Sequence, residues 1–85
     1  MQQDERRRIL DEVQSLAGQI LGMDDLYLTE ESSARDVPGW DSLTHVQIII
    51  AAERAFGIRM TSTEVSQLEN AGSLVTLIQQ HQSRQ

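Results

Sequence analysis

Val37-Pro38-Gly39-Trp40-Asp41-Ser42-Leu43, followed by Val46-Gln47-Ile48-Ile49 and then Phe56-Gly57-Ile58, is the stretch on which the reading of this chain turns. Pro38-Gly39 marks a turn, because proline presets one backbone angle and glycine tolerates the positive φ that ordinary residues avoid. Asp41 and Ser42 follow, and either side chain can accept a hydrogen bond from a free amide of a first helical turn. The apolar residues beyond them recur at helical spacing, and Gly57 ends the run, so the pattern predicts a helix over about 41–56. Its apolar content exceeds one face. Ile48, Ile49, Ala52 and Phe56 form a stripe expected in the core, while Leu43, Val46 and Ile50, at i, i+3 and i+7, form an adjoining stripe that a small bundle leaves partly exposed.

Working outward, Ile9, Leu10, Val13, Leu16, Ala17, Ile20 and Leu21 lie on one helical stripe, predicting a first helix over about 4–22. Asp4 and Glu5 suit the positive end of its dipole. Residues 23–40 have no sustained period and are rich in Asp, Ser, Pro and Gly, so they read as a long ordered loop, which Leu26, Leu28, Val37 and Trp40 can anchor by burial. Thr61, Ser62 and Thr63 ahead of Glu64 offer caps for a short helix over about 62–68. Ser73, after Gly72, is taken as the start of a last helix over about 73–82, with Leu74, Leu77 and Ile78 inward. The charge run Glu5 to Arg8 is expected to be a solvated face, and His45 and His81 to be helix-surface residues. The fold class that results is all-α: a four-helix bundle in one domain over 1–85, with three longer helices, one short third helix and a long first loop.

Composition narrows the function. In 85 residues there is room for one modest core, and with aromatics at 4% that core rests on aliphatic side chains, which favours helices over a sandwich. There is no Cys and there are two His, well separated, so disulfides, thiolate chemistry and an obvious metal site all drop out. A formal charge of −6 argues against nucleic acid and for basic partner surfaces. No apolar run approaches the about 20 residues needed to span a bilayer, and MQQDERRRIL lacks the apolar segment of a secretory signal, so a cytoplasmic, monomeric protein is expected.

Asp41-Ser42-Leu43 opening a helix that ends in Phe56-Gly57, with a long loop before and a short helix after, resembles the acyl carrier protein family. The likeness is strongest from Gly39 to Gly57 and extends by helix order over nearly the whole chain. The resemblance implies that Ser42 carries 4′-phosphopantetheine, attached from coenzyme A by a phosphopantetheinyl transferase, and that Asp41 assists the attachment by helping that complex hold Mg²⁺. It also implies a carrier, not an enzyme, presenting thioester-linked acyl groups to loading and transfer enzymes. A hydroxyl at a helix N-terminus suits this role, since free amides and the dipole there accommodate a phosphodiester. The second apolar stripe lies about one to two turns from the phosphopantetheine arm, so Leu43, Val46 and Ile50 are expected to give those enzymes apolar contact, with Glu53 supplying charge.

Two departures from the family pattern matter. Carriers of bacterial fatty-acid synthesis place several acids along this helix, whereas Gln47, Arg54 and His45 dilute them here, which points to a specialised, polyketide-like or other secondary pathway. Pro-Gly-Trp before Asp41 is unlike the Gly-Gly motif of peptidyl carriers, although an aminoacyl cargo stays open, as does an unmodified helical adaptor. The bland alternatives are that Ser42 and Asp41 only cap a helix and that Leu43, Val46 and Ile50 are ordinary core. Serine catalysis would need His45, at i+3, as base, on a helix surface that forms no pocket.

Overall fold

The described residues form four α-helices, α1 (Gln2–Leu21), α2 (Ser42–Phe56), α3 (Ser62–Ser66) and α4 (Ala71–Ser83). The structure is a computed structural model that describes residues 2–83, and there is no strand among the described residues. α1 packs against both α2 and α4. The core is aliphatic: Val13 from α1, Ile48 from α2, and Val75 and Ile78 from α4 have their side chains fully buried. Val13, Val75 and Ile78 cluster with Ile9, Leu10, Ile49, Ala52, Ala71 and Leu74, and with Leu28, Val37 and Ile58 from the connections. This is the bundle that the spacing of apolar residues predicts.

Phe56 is a correction. Expected in the core, it is only half-buried and packs against the edge of the cluster. It is the last residue of α2, at the end of the bundle, where fewer neighbours remain to cover a ring. The charge run also needs amending: Glu5, Arg7 and Arg8 are exposed, but Arg6 is not a free surface residue. Its guanidinium donates through Nε and a terminal nitrogen to both Glu30 carboxylate oxygens, through another to Thr76 Oγ1 and Gln79 Oε1 (both 2.9 Å), and to the Gly72 carbonyl oxygen (3.2 Å). One side chain thus ties α1 to the long loop and to α4, a use of the planar fork that lysine cannot reproduce.

The long loop is ordered by burial and by the hydrogen bonds it lends. Leu28 and Val37 are buried, and the Leu28 amide donates to Gln14 Oε1 of α1 (2.7 Å). One 3-10 turn, Ala34–Asp36, interrupts the loop, with Asp36 Oδ2 accepting from the Ser33 amide and hydroxyl. The first amides of a helix lack partners within it. In α4 the loop supplies them: the Ala71 amide donates to the Ser32 carbonyl oxygen and the Gly72 amide to that of Glu30, both at 2.8 Å. Asn70 Oδ1 accepts from the Ser73 amide (2.8 Å) and hydroxyl (3.0 Å).

α4 therefore begins at Ala71 under an Asn70 cap, and Gly72, read from sequence as the break before the helix, lies inside its first turn. The reason is space. A Cβ on Gly72 would stand 2.9 Å from the Glu30 carbonyl oxygen and 3.0 Å from its Cβ. Gly72→Ala should accordingly lower the thermal midpoint, although alanine is the better helix former by about 1 kcal/mol, because the clash is with backbone that also accepts the Gly72 amide bond. A raised midpoint would show that the loop yields easily and that the close approach is incidental.

Candidate functional site

The site grows from the turn that precedes α2. The Trp40 amide donates to the Val37 carbonyl oxygen (3.2 Å), closing a turn with Pro38 and Gly39 at its centre, and Gly39 has φ of +85°. That pairing of proline then positive-φ glycine is what a type II turn requires. Buried Val37 holds one side of the turn. Trp40 holds the other, half-buried, with its indole Nε1–H donating to His45 Nδ1 at 3.1 Å in the second turn of α2.

Between these anchors Asp41 is the N-cap. Its Oδ1 accepts from the Leu43 and Thr44 amides, each at 3.0 Å. Thr44 returns the bond, its Oγ1 accepting from the Asp41 amide (2.8 Å) and donating to the Gly39 carbonyl oxygen (2.8 Å). The Thr44 amide most of all, then the Thr44 hydroxyl and the Leu43 amide, hold the Asp41 carboxyl below the usual range, with desolvation opposing them. Oδ2 makes no hydrogen bond to a described residue, so a negatively charged, partly free carboxylate stands next to Ser42.

Because Asp41 does the capping, Ser42 does not. Ser42 is the first residue of α2, exposed, and its hydroxyl has no hydrogen-bond partner among the described residues. It stands where the helix dipole is positive and where added negative charge is favoured. A phosphodiester on this oxygen would meet no wall of side chains, so the local geometry fits a bulky covalent substituent.

His45 approaches none of this as a base. Its Nδ1 accepts the Trp40 indole proton, and burial pushes its pKa below the ordinary value near 6.5. Read from sequence as a surface residue, it is part of the fold, and it lines a small cavity of about 50 Å³ together with Trp40, Leu68, Ala71 and Leu74. His81 is likewise engaged, its Nε2 lying 3.0 Å from Glu64 Oε1, which links α4 to α3. Since the folded chain binds a proton at His45 less readily than the unfolded chain, the stability this residue contributes is complete above about pH 6.5 and is lost as pH falls below it. His45→Gln, which can accept the same indole proton without titrating, should lose less stability than the parent between about pH 7 and about pH 5. Parallel thermal-midpoint curves for the two would contradict this.

Of the proposed partner surface, Leu43, Val46 and Ile50 are 68%, 51% and 44% exposed, so the second apolar stripe of α2 faces solvent. Glu53 differs: it is half-buried, and its Oε2 accepts from the Met60 amide at 2.7 Å, bracing the connection to α3. The structure thus brings Asp41, Ser42, Leu43, Val46 and Ile50 onto one end and one face of α2, with Glu53 turned toward the α2–α3 connection. Sequence reasoning missed Thr44 and Trp40–His45 as the parts that fix the site. The Asp-x-x-Thr spacing was the available signal for the first, while the second depends on a side-chain pairing that no period announces.

Comparisons with known proteins bear on the family and the fold. Residues 11–78 match the family model described as "Phosphopantetheine attachment site". The chain is 30% identical over 74 residues to an acyl carrier protein of Thermotoga maritima, covering 87% of this chain and 91% of that one. It is 33% identical over 73 residues to one of Clostridium acetobutylicum, covering 86% and 95%. Among solved structures it resembles a holo acyl carrier protein of Geobacter metallireducens, with a TM-score of 0.81 and 33% identity over 88% of this chain and 86% of that one. A crystal structure of the Thermotoga maritima acyl carrier protein superposes with a TM-score of 0.84 at 20% identity over 94% and 93%, a likeness of fold. No helix among the described residues is long and apolar enough to cross a membrane. The chain belongs to the acyl carrier protein family, whose members bear covalent phosphopantetheine and act as carriers and not as enzymes.

Proposed function

We propose that this carrier holds its phosphopantetheine on Ser42 Oγ and uses it to present thioester-linked acyl groups to partner enzymes of a specialised biosynthetic pathway. The observation that carries the assignment is the exposed Ser42 hydroxyl, left without a hydrogen bond because Asp41 and Thr44 cap α2 in its place. A phosphopantetheinyl transferase joins that oxygen to the pantetheine-side phosphorus of coenzyme A; a new P–O bond forms, the pyrophosphate P–O bond breaks, adenosine 3′,5′-bisphosphate leaves, and the serine proton passes to a base or to water. The phosphodiester then lies at the positive end of α2. Asp41, with one carboxylate oxygen free, assists by facing the cation that the transferase brings. The thiol belongs to the arm, so a chain without Cys still supports thioester chemistry.

Leu43, Val46, Ile50 and Glu53 are the residues we assign to partner contact, the first three through their exposed apolar surface. What supports a specialised pathway is the sparse acid on α2, where Gln47, Arg54 and His45 occupy positions on or beside this face and Glu53 is engaged by the Met60 amide. The experiment is incubation of the full chain with coenzyme A, Mg²⁺ and a broad-specificity transferase, read by intact mass. A gain of one phosphopantetheine is expected. No gain would leave an unmodified adaptor, and a gain of two or more would deny a single attachment site.

A further inference from the structure

The exposed face of α2 does not end where its apolar residues end. Leu43, Val46, Ile50 and Arg54 follow one another at helical spacing, so Arg54 continues the stripe one turn beyond Ile50. Leu43 and Arg54 are eleven residues apart, about 16 Å along the axis. Past Ile50 the face opens into a groove lined by Glu53, Arg54, Ile58, Arg59, Met60 and His81.

The charges of this groove run opposite to those of the chain. Glu53 spends one carboxylate oxygen on the Met60 amide, and His81 is bonded to Glu64. Arg54 and Arg59 are exposed, and neither makes an ion pair or side-chain hydrogen bond with a described residue. Arg54 lies in the last turn of α2, where a cation is favoured by the dipole in any case. Arg59 is outside the helix and has no such explanation. Two unpaired guanidinium groups therefore border an apolar stripe in a chain of formal charge −6.

We infer that the partner enzymes dock an apolar surface on Leu43, Val46 and Ile50 and place carboxylates against Arg54 and Arg59. This deepens the proposed function and rests on α2 being the docking face. Guanidinium forks match carboxylates bidentately, and partial desolvation against Ile50 and Met60 strengthens such pairs over fully exposed ones. Like-charge contact is disfavoured, so a partner that offers lysines at this end is rejected; the two arginines set selectivity as well as affinity.

The test uses the full-length holo-protein and two synthetic helical peptides, each with leucines along one face, that differ only in ending in two glutamates or two lysines. Amide chemical shifts are followed on titration. The acidic peptide should perturb residues 43–60 and bind about tenfold more tightly than the basic one, about 1.4 kcal/mol. Arg54→Glu combined with Arg59→Glu should reverse the preference, and both are surface changes that leave the core intact. Equal binding, preference for the basic peptide, a preference that survives the double variant, or no binding by either peptide would overturn the inference. So would concentration-dependent self-association abolished by the double variant, which would assign the face to a second copy. None of these outcomes depends on which serine carries the arm, so failure here is distinguishable from failure of the Ser42 assignment.

Discussion

Truncating Ile48 to alanine should lower the stability of the folded chain by about 2–5 kcal/mol, a large share of the about 5–15 kcal/mol available to a domain of this size. Ile48 has no solvent exposure and is among the largest fully buried side chains of the described residues. Removing three carbons from a fully buried position leaves a cavity that the close-packed surroundings fill only in part. A shift of about 4–8 °C per kcal/mol makes the expected fall in thermal midpoint about 10 °C or more. Phe56→Ala should fall short of the about 3–5 kcal/mol typical of a fully buried Phe, because the half-buried ring leaves an open notch and not a sealed void. A midpoint unchanged in Ile48→Ala would refute the packing described above.

Ser42→Ala should abolish attachment of phosphopantetheine and leave stability nearly unchanged. The sequence alone allowed Ser42 to be a cap, in which case alanine would cost about 0.5–2 kcal/mol. In the structure Asp41 accepts from the Leu43 and Thr44 amides, and the Ser42 hydroxyl bonds to nothing described. Alanine removes only the oxygen that would be phosphorylated. Asp41 separates differently. Asp41→Ala loses the cap and should cost about 0.5–2 kcal/mol, whereas Asp41→Asn keeps an acceptor at Oδ1 and loses the charge. Slowed attachment in the asparagine variant at unchanged stability is the expected sign of an assisting carboxylate. Attachment at the parental rate in Asp41→Asn would reduce Asp41 to a cap.

Much of this was legible in the residues because it is local. The turn at Pro38-Gly39, the cap at Asp41, the stop at Gly57 and the two stripes of α2 each follow from positions within a few residues of one another, and the core set Val13, Ile48, Ile49 and Ile78 follows from helical period. What escaped is long-range. Gly72 looks like a helix break until Glu30 is seen against its α-carbon, and Arg6 looks like one charge among four until Glu30, Thr76 and Gln79 converge on it. Glu53 reads as a surface acid, yet the Met60 amide claims it across the α2–α3 connection. Trp40 and His45 were each legible as types and not as a pair, since an indole donor and an imidazole acceptor five residues apart meet only if the turn before Asp41 folds back on α2.

The most direct measurement is the location of the arm. Holo-protein prepared with coenzyme A and a broad-specificity transferase is digested, and fragment-ion masses assign the modification to a residue. The account predicts a single phosphopantetheine on Ser42, within the peptide that contains Asp41 and Leu43, and none on Ser15, Ser32, Ser33, Ser62, Ser66, Ser73 or Ser83. An arm found on any of those serines, or retained in Ser42→Ala, would contradict it.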